Sequence, residues 1–366
     1  MPKPRICFVS NNIYPALSEK YVTPRVGGAE LQQIFIGKCL HAHGCLVSYV
    51  TMDHGQPAIE NIDGLKIYKT YKENAGISGL RFFYPRLFKL WRALKRVDAD
   101  VYYTRCASFM PGVLALFCRV YKKKYIFAGA LDSDFIPSDV SIQFKRDKWL
   151  YNYGLKKADK IIVQSKTQKN LLKQNFGLKS SIIPNFTIEK PHLSPETKTK
   201  HILWVATIRK RKRPEWFVNL ARQMPSQEFV MIGGPQADRK HLFKKIKAAC
   251  EDIPNIRFLG FQPLEVTEQY FDGCELFVNT SFYEGFPNTF LQAWRRGIPV
   301  VSSVDPDGVI QKNKLGAVIT AQAHLLPTVK TMLATTVSKQ QTIIEYFVAN
   351  HSSLTIEHYM KLISKM

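Results

Sequence analysis

The chain has 366 residues, with 52 Lys and Arg against 29 Asp and Glu, a formal charge of +23 and a pI near 9.7. An apolar fraction of 45% with 12% aromatics can fill real cores, which excludes a disordered chain. No window reaches the ~18 uncharged apolar residues of a membrane span. The seven cysteines form no CxxC pair, so a cytosolic protein with reduced thiols is expected rather than a secreted or disulfide-rich one.

In chain order, the opening MPKPRICFVSNN enters a strand-like run without the apolar segment of a signal peptide. Short apolar, β-branched runs then predict strands near 5–10, 46–52, 65–70, 100–104, 124–130, 160–164 and 181–183. The second half continues with 202–207, 229–233, 256–259, 276–280, 299–302 and 317–320. Apolar strands alternating with amphipathic helices mean parallel sheets covered on both faces, and thirteen strands are too many for one ordinary doubly wound sheet. The expected fold is α/β: two Rossmann-like, doubly wound domains facing across a cleft. The break falls in the proline-rich stretch 184–200. Expected boundaries are 1–186, a linker at 187–199, 200–345, and a C-terminal helix over 346–366 packing back toward the first domain. Thirty basic and fourteen acidic residues lie in 1–190, so an anionic partner is expected there.

In open α/β sheets, ligands bind beyond the C-terminal strand ends, so the loops after the strands matter most. Gly27-Gly28-Ala29-Glu30 follows the first strand; it is either a phosphate cradle at a helix N-terminus or a tight loop-to-helix turn. It is neither GxGxxG nor a Walker A motif, which disfavours a nicotinamide enzyme or a P-loop ATPase. Later, Glu284-Gly285-Phe286-Pro287-Asn288-Thr289 leads into a helix carrying Gln292 one turn from Asn288 on the same face. Glu284 is either a ligand-facing carboxylate or an ordinary helix N-terminal charge.

These residues resemble a known family. Glu284-Gly285-Phe286-Pro287-Asn288 with a polar residue eight places on is similar to the signature of glycosyltransferase family 4, retaining enzymes of the GT-B fold. The Gly27-Gly28 loop, the segment from Val205 through Thr207 and Arg209 to Lys212, Ile183-Pro184-Asn185 and Val348 to His351 resemble further family segments in the same order. The subgroup resembled is that of bacterial surface-polysaccharide and lipopolysaccharide transferases. The resemblance implies a nucleotide-diphosphate sugar donor in the C-terminal domain, an acceptor on the N-terminal domain, and no metal. Lys212 would meet the charge that builds on the β-phosphate, Glu284 the transferred sugar, and Gln292 the ribose hydroxyls, where the family carries a second glutamate. Thr207 stands where the family has an arginine, so Arg209 is the candidate second cation. Gly233 and Phe261 match the post-strand turn and the base-edge segment. The resemblance also implies retention by front-face attack; no paired-carboxylate nucleophile is evident in the sequence.

Asp132-Ser133-Asp134 spells D-x-D after a strand; it is an acceptor contact, turn chemistry or a metal pair. Arg105, at a strand end, is an acceptor-phosphate partner or a surface charge. No HExxH or Cys/His cluster exists, so no metal site is expected. In the segment 81–97, Phe83, Leu87, Leu90, Trp91, Leu94 and Val97 share one helical face, with cations around most of the rest. Such a helix either packs on the sheet or lies against an anionic membrane.

The expectation is a cytoplasmic retaining glycosyltransferase, peripherally associated with the inner membrane face, acting on a lipid-linked or oligosaccharide acceptor in surface-polysaccharide biosynthesis. One alternative is a metal-dependent sugar-nucleotide enzyme built on Asp132 and Asp134. The other is a basic nucleic-acid-binding protein, for which no motif speaks.

Overall fold

Thirteen of the strands form where apolar runs place them, and a fourteenth appears. The computed structural model describes residues 3–18, 27–140, 142–188, 200–235, 240–335 and 340–366. The described chain divides into two units, one reaching Asn185 and including Ser353–Met366, the other spanning Phe186–Ser352. Of the linker expected at 187–199, residues 189–199 lie outside the described residues.

The first unit is an eight-stranded sheet of β1 Arg5–Val9, β2 Leu46–Thr51, β3 Ile59–Ile62, β4 Leu65–Lys69, β5 Val101–Arg105, β6 Lys124–Ala128, β7 Lys160–Val163 and β8 Ser181–Ile182. Its order is β3-β4-β2-β1-β5-β6-β7-β8, parallel except for β3. Helices α1 Tyr14–Leu17, α2 Gly28–Ala42, α3 Phe88–Val97, α4 Met110–Tyr121, α5 Lys145–Lys157 and α6 Lys166–Phe176 accompany it. The second unit orders its strands β11-β10-β9-β12-β13-β14. These are β9 His201–Val205, β10 Phe229–Ile232, β11 Ile256–Gly260, β12 Cys274–Asn279, β13 Val300–Ser302 and β14 Gly316–Val318. Its helices are α7 Pro214–Arg222, α8 Lys240–Glu251, α9 Leu264–Asp272, α10 Asn288–Trp294, α11 Val309–Lys312, α12 Leu325–Thr335 and α13 Gln340–His351; α14 Ile356–Ser364 belongs to the first unit.

Strand order fixes where a site can form. In each sheet the connections run outward in both directions from one neighbouring pair, β1 and β5 in the first and β9 and β12 in the second. The loops leaving those strands diverge and open a crevice at the sheet's carboxyl edge.

Three expectations change. Strand β3 was not anticipated: Ile59–Ile62 is short and half-exposed, and hairpins onto β4 through Asp63 and Gly64, both at positive φ. The single C-terminal helix over 346–366 is two, α13 and α14, broken where the His351 carbonyl accepts from the Thr187 amide instead of continuing the ladder. The helix expected over 81–97 is regular only from Phe88, because Tyr84, ahead of Pro85, is extended. Leu90, Ala93 and Leu94 pack inward, while Phe83 leaves the shared face and is exposed.

Helices α4 and α5 meet backbone to backbone. A Cβ on Gly112 would strike Leu150, and one on Gly154 would strike the backbone at Pro111 and Gly112. Gly154→Ala should therefore lower unfolding free energy by about 1–3 kcal/mol through overpacking, measured by urea denaturation, and an unchanged midpoint would contradict this close approach.

Candidate active site

At the divergence of β9 and β12, two loops are stitched together. The segment after β9 forms a tight turn over Lys210–Lys212, then Arg213 at positive φ, and α7 begins at Pro214. The Arg213 guanidinium donates to the carbonyls of Thr280 (2.7 Å) and Ser281 (3.0 Å) while lying 3.8 Å over the Trp216 ring. The Thr280 hydroxyl donates to the Lys212 carbonyl (2.6 Å) and accepts from the Trp204 indole (3.0 Å). The Phe282 amide donates to the Arg211 carbonyl (2.6 Å). These bonds fix the two loops relative to one another, and sequence reasoning gave no role to Arg213, Thr280 or Ser281.

Their result is an ion pair between Lys212 and Glu284, both side chains nearly buried. The Ser281 hydroxyl donates to Glu284 Oε1 (2.7 Å), and Arg211 Nη1 stands 3.9 Å from Oε2. Burial pushes the Glu284 carboxyl up, but the charges of Lys212 and Arg211 outweigh it, and its pKa lies below the ordinary value. Arg209 is half-buried beside them. Burial, then the Arg211 charge, makes it less basic than a free arginine, and its Nε has no hydrogen-bond partner among the described residues. Thr207 is half-buried in the same loop.

The other donor-set residues expected in the second unit take the following places. Gly233 hands its amide to the Gly260 carbonyl (2.7 Å), and a Cβ there would collide with the Ala206 carbonyl, so only glycine fits. Phe261 is half-buried just after Gly260. Gly285 and Pro287 are buried, Phe286 and Thr289 half-buried, and Asn288 opens α10 with Pro287 ahead of it. Gln292 is buried, and its amide donates to Glu268 Oε1 (2.9 Å). Glu268 is held by Arg295 and by Arg296 (2.9 Å), a network with no signal in the sequence because its members come from α9, α10 and the turn after α10.

In the first unit the expected site residues are largely committed internally. The Gly27 amide donates to Glu30 Oε2 (3.1 Å), so the start of α2 is partly satisfied by its own carboxylate, with Gly28 exposed beside it. Asp134 is buried, and its Oδ2 accepts from the amides of Ala130 (2.7 Å) and Leu131 (3.0 Å). Burial raises its pKa despite these bonds. Asp134 is therefore a loop brace, while Asp132 is half-exposed. Arg105 is no surface charge: it is buried, donating to Asn185 Oδ1 (2.7 Å). Among the described residues no three His, Cys, Asp or Glu side chains are grouped to hold a metal.

Glu284→Gln leaves the Lys212 ammonium buried without its counter-charge, which should cost ~3 kcal/mol at neutral pH. A carboxylate with a lowered pKa gives stability that is full above its ordinary value near 4.5 and lost as pH falls through the folded value. The gap between wild type and Glu284→Gln should thus narrow as denaturation is repeated below that range, and a pH-independent gap would refute the pair's energetic role.

Comparison with known proteins bears on both units. Residues 26–187 match the model described as Glycosyltransferase Family 4, and 199–335 the one described as Glycosyl transferases group 1. An O-antigen biosynthesis glycosyltransferase of Escherichia coli, WbnH, is 29% identical over 150 residues, 40% of this chain and 42% of that protein. An uncharacterized glycosyltransferase of Methanocaldococcus jannaschii, MJ1059, is 26% identical over 175 residues, 42% of this chain and 41% of that protein. The chain matches less than half the length of these relatives. Among solved structures, sucrose-phosphate synthase from Thermosynechococcus elongatus superposes with a TM-score of 0.76 at 18% identity, covering 99% of this chain and 98% of that one. Anabaena Alr3699/HepE, in complex with UDP and glucose, gives 0.70 at 15% identity, covering 99% and 100%. With a glycosyltransferase family model matched in each half and the fold matched along its whole length, the chain resembles glycosyltransferases of the family 4 type and has the GT-B fold of two Rossmann-like domains.

Proposed function

We propose that the protein is a retaining transferase that moves a sugar from a nucleotide-diphosphate sugar to a lipid-linked or oligosaccharide acceptor in surface-polysaccharide biosynthesis. The observation that carries this is the Lys212–Glu284 pair at the divergence of β9 and β12, with the buried Arg209 Nε beside it. In the reaction the bond between the anomeric carbon and the β-phosphate oxygen breaks, its electrons pass to the phosphate, the acceptor oxygen bonds to the anomeric carbon from that same face, and its proton goes to the departing phosphate oxygen. Lys212 and Arg209 meet the growing phosphate charge. Glu284 orients the sugar hydroxyls. Gln292 has given one amide hydrogen to Glu268, so its carbonyl is the half left for a ribose hydroxyl.

This chemistry needs fixed cations rather than a metal, and the D-x-D alternative loses force because Asp134 is spent on backbone amides. The O-antigen role of WbnH supports the polysaccharide setting. The acceptor side is assigned to the first unit. Its charge surplus favours a cytoplasmic chain lying peripherally on the inner face of an anionic membrane. No helix among the described residues is long and apolar enough to cross one.

A thermal-shift panel of activated sugars identifies the donor, since a ligand at ~100 times its dissociation constant adds ~2.7 kcal/mol. With that donor, Lys212→Ala and Glu284→Ala should each lower transfer by at least ~10²-fold. Chelator should leave wild-type transfer unchanged, and the product's anomeric proton coupling should report retention. Wild-type turnover in both folded variants, or metal-dependent transfer, would reject the assignment.

The diphosphate must take Lys212 from Glu284, exchanging one anion for another. Calorimetry of Glu284→Gln should therefore find the bare nucleoside diphosphate bound roughly tenfold tighter than by wild type, about 1.4 kcal/mol. Weaker binding would mean that the carboxylate assists rather than competes.

A further inference from the structure

Seven of the chain's large exposed hydrophobic side chains sit on two neighbouring segments of the first unit. Ile77 (77% exposed), Leu80, Phe83, Tyr84 (70%) and Phe88 line the stretch into α3; Phe144 and Trp149 (61%) flank the start of α5. The segments touch through the Arg146 guanidinium, 3.5 Å over the Phe82 ring. Around them Arg81, Lys89, Arg92, Lys95, Arg96, Lys145 and Arg146 are exposed. The only acidic residue within 81–97 and 145–157 is Asp147, which pairs with Arg146. Seven exposed apolar side chains gathered on two touching segments exceed the single scattered hydrophobics of an inert surface, and the inward stripe of α3 is already spent on Leu90, Ala93 and Leu94. The patch is therefore a second face, distinct from the one that anchors the helix to its sheet.

We infer that this aromatic rim seats the protein in an anionic bilayer, with Phe83, Tyr84, Phe88, Phe144 and Trp149 entering the headgroup boundary and the cations holding anionic lipid around them. The inference deepens the membrane association proposed above and rests on that reading for its purpose. Charge complementarity selects the partner, because rings alone would suit any apolar surface, whereas rings ringed by cations with almost no acid suit anionic headgroups.

The test is co-sedimentation of the full chain with vesicles of phosphatidylcholine, with or without phosphatidylglycerol, in the absence of donor. Partitioning should be at least ~10-fold stronger on the anionic vesicles and weaken with salt. The variant Phe83→Ser/Tyr84→Ser/Phe88→Ser should lose it while keeping a wild-type circular dichroism spectrum and urea-unfolding midpoint, which verifies its fold. Brominated lipid should quench tryptophan fluorescence in wild type, and Trp149→Phe should remove that quenching. No binding to anionic vesicles, equal binding to neutral ones, binding unchanged in the triple variant, or a self-associated species dissolved by that variant without vesicle binding would each overturn the inference. Vesicle binding needs no donor and transfer needs no vesicle, so either reading can fail while the other stands.

Discussion

Two neighbouring strands with diverging exits hold the second unit's chemistry together. Strands β9 and β12 run side by side, yet their loops leave toward opposite ends of the sheet, so a crevice opens where backbone amides and side chains converge. The crevice would be floppy if each loop were free. Arg213 and Thr280 prevent that by exchanging hydrogen bonds across it, Arg213 giving to two carbonyls of the later loop and Thr280 to a carbonyl of the earlier one. Such bracing fixes where the charges of Lys212 and Glu284 stand, and charges assist a reaction only where they stand before charge develops.

A nearly buried ion pair such as Lys212–Glu284 is a poor source of stability, since desolvating both charges offsets most of their attraction. A hydrophobic pair in the same volume would do at least as well. Its presence makes sense if the ammonium must be kept in place and poised for an anion, with Glu284 as the internal occupant until a ligand competes. Arg209 supplies the complementary half: a cation held half-buried, with one donor atom uncommitted among the described residues.

Much of this was legible in the sequence, and what was not failed for identifiable reasons. Alternation of apolar strands and helices fixed both sheets, because a buried parallel strand must be apolar on both faces. Strand β3 escaped that test, since its Glu60 and Asn61 interrupt the apolar run at a sheet edge. The Asp63-Gly64 pair that closes its hairpin was the signal available. Glu284 was legible in the loop between a strand end and a helix, and Lys212 only through the resemblance to a family segment. The commitments of Asp134, Arg105 and Gln292 were not, since each depends on partners brought by folding: loop amides for Asp134, Asn185 for Arg105, and Glu268 on α9 for Gln292.

The five-cation run from Arg209 to Arg213 displays the same limit in one place. By composition the five are equivalent. Folding gives them four different fates: Lys210 is exposed, Arg213 braces a loop from above an indole ring, Lys212 and Arg211 face a carboxylate, and Arg209 is half-buried with its Nε unbonded. The turn decides this, because three residues in a tight helical turn followed by one at positive φ send successive side chains in different directions. Net charge therefore describes how the molecule meets its surroundings at long range, as on the rim around α3, where exposed cations stand together. At the β9–β12 crevice the sum is irrelevant, and the direction of each side chain determines the chemistry.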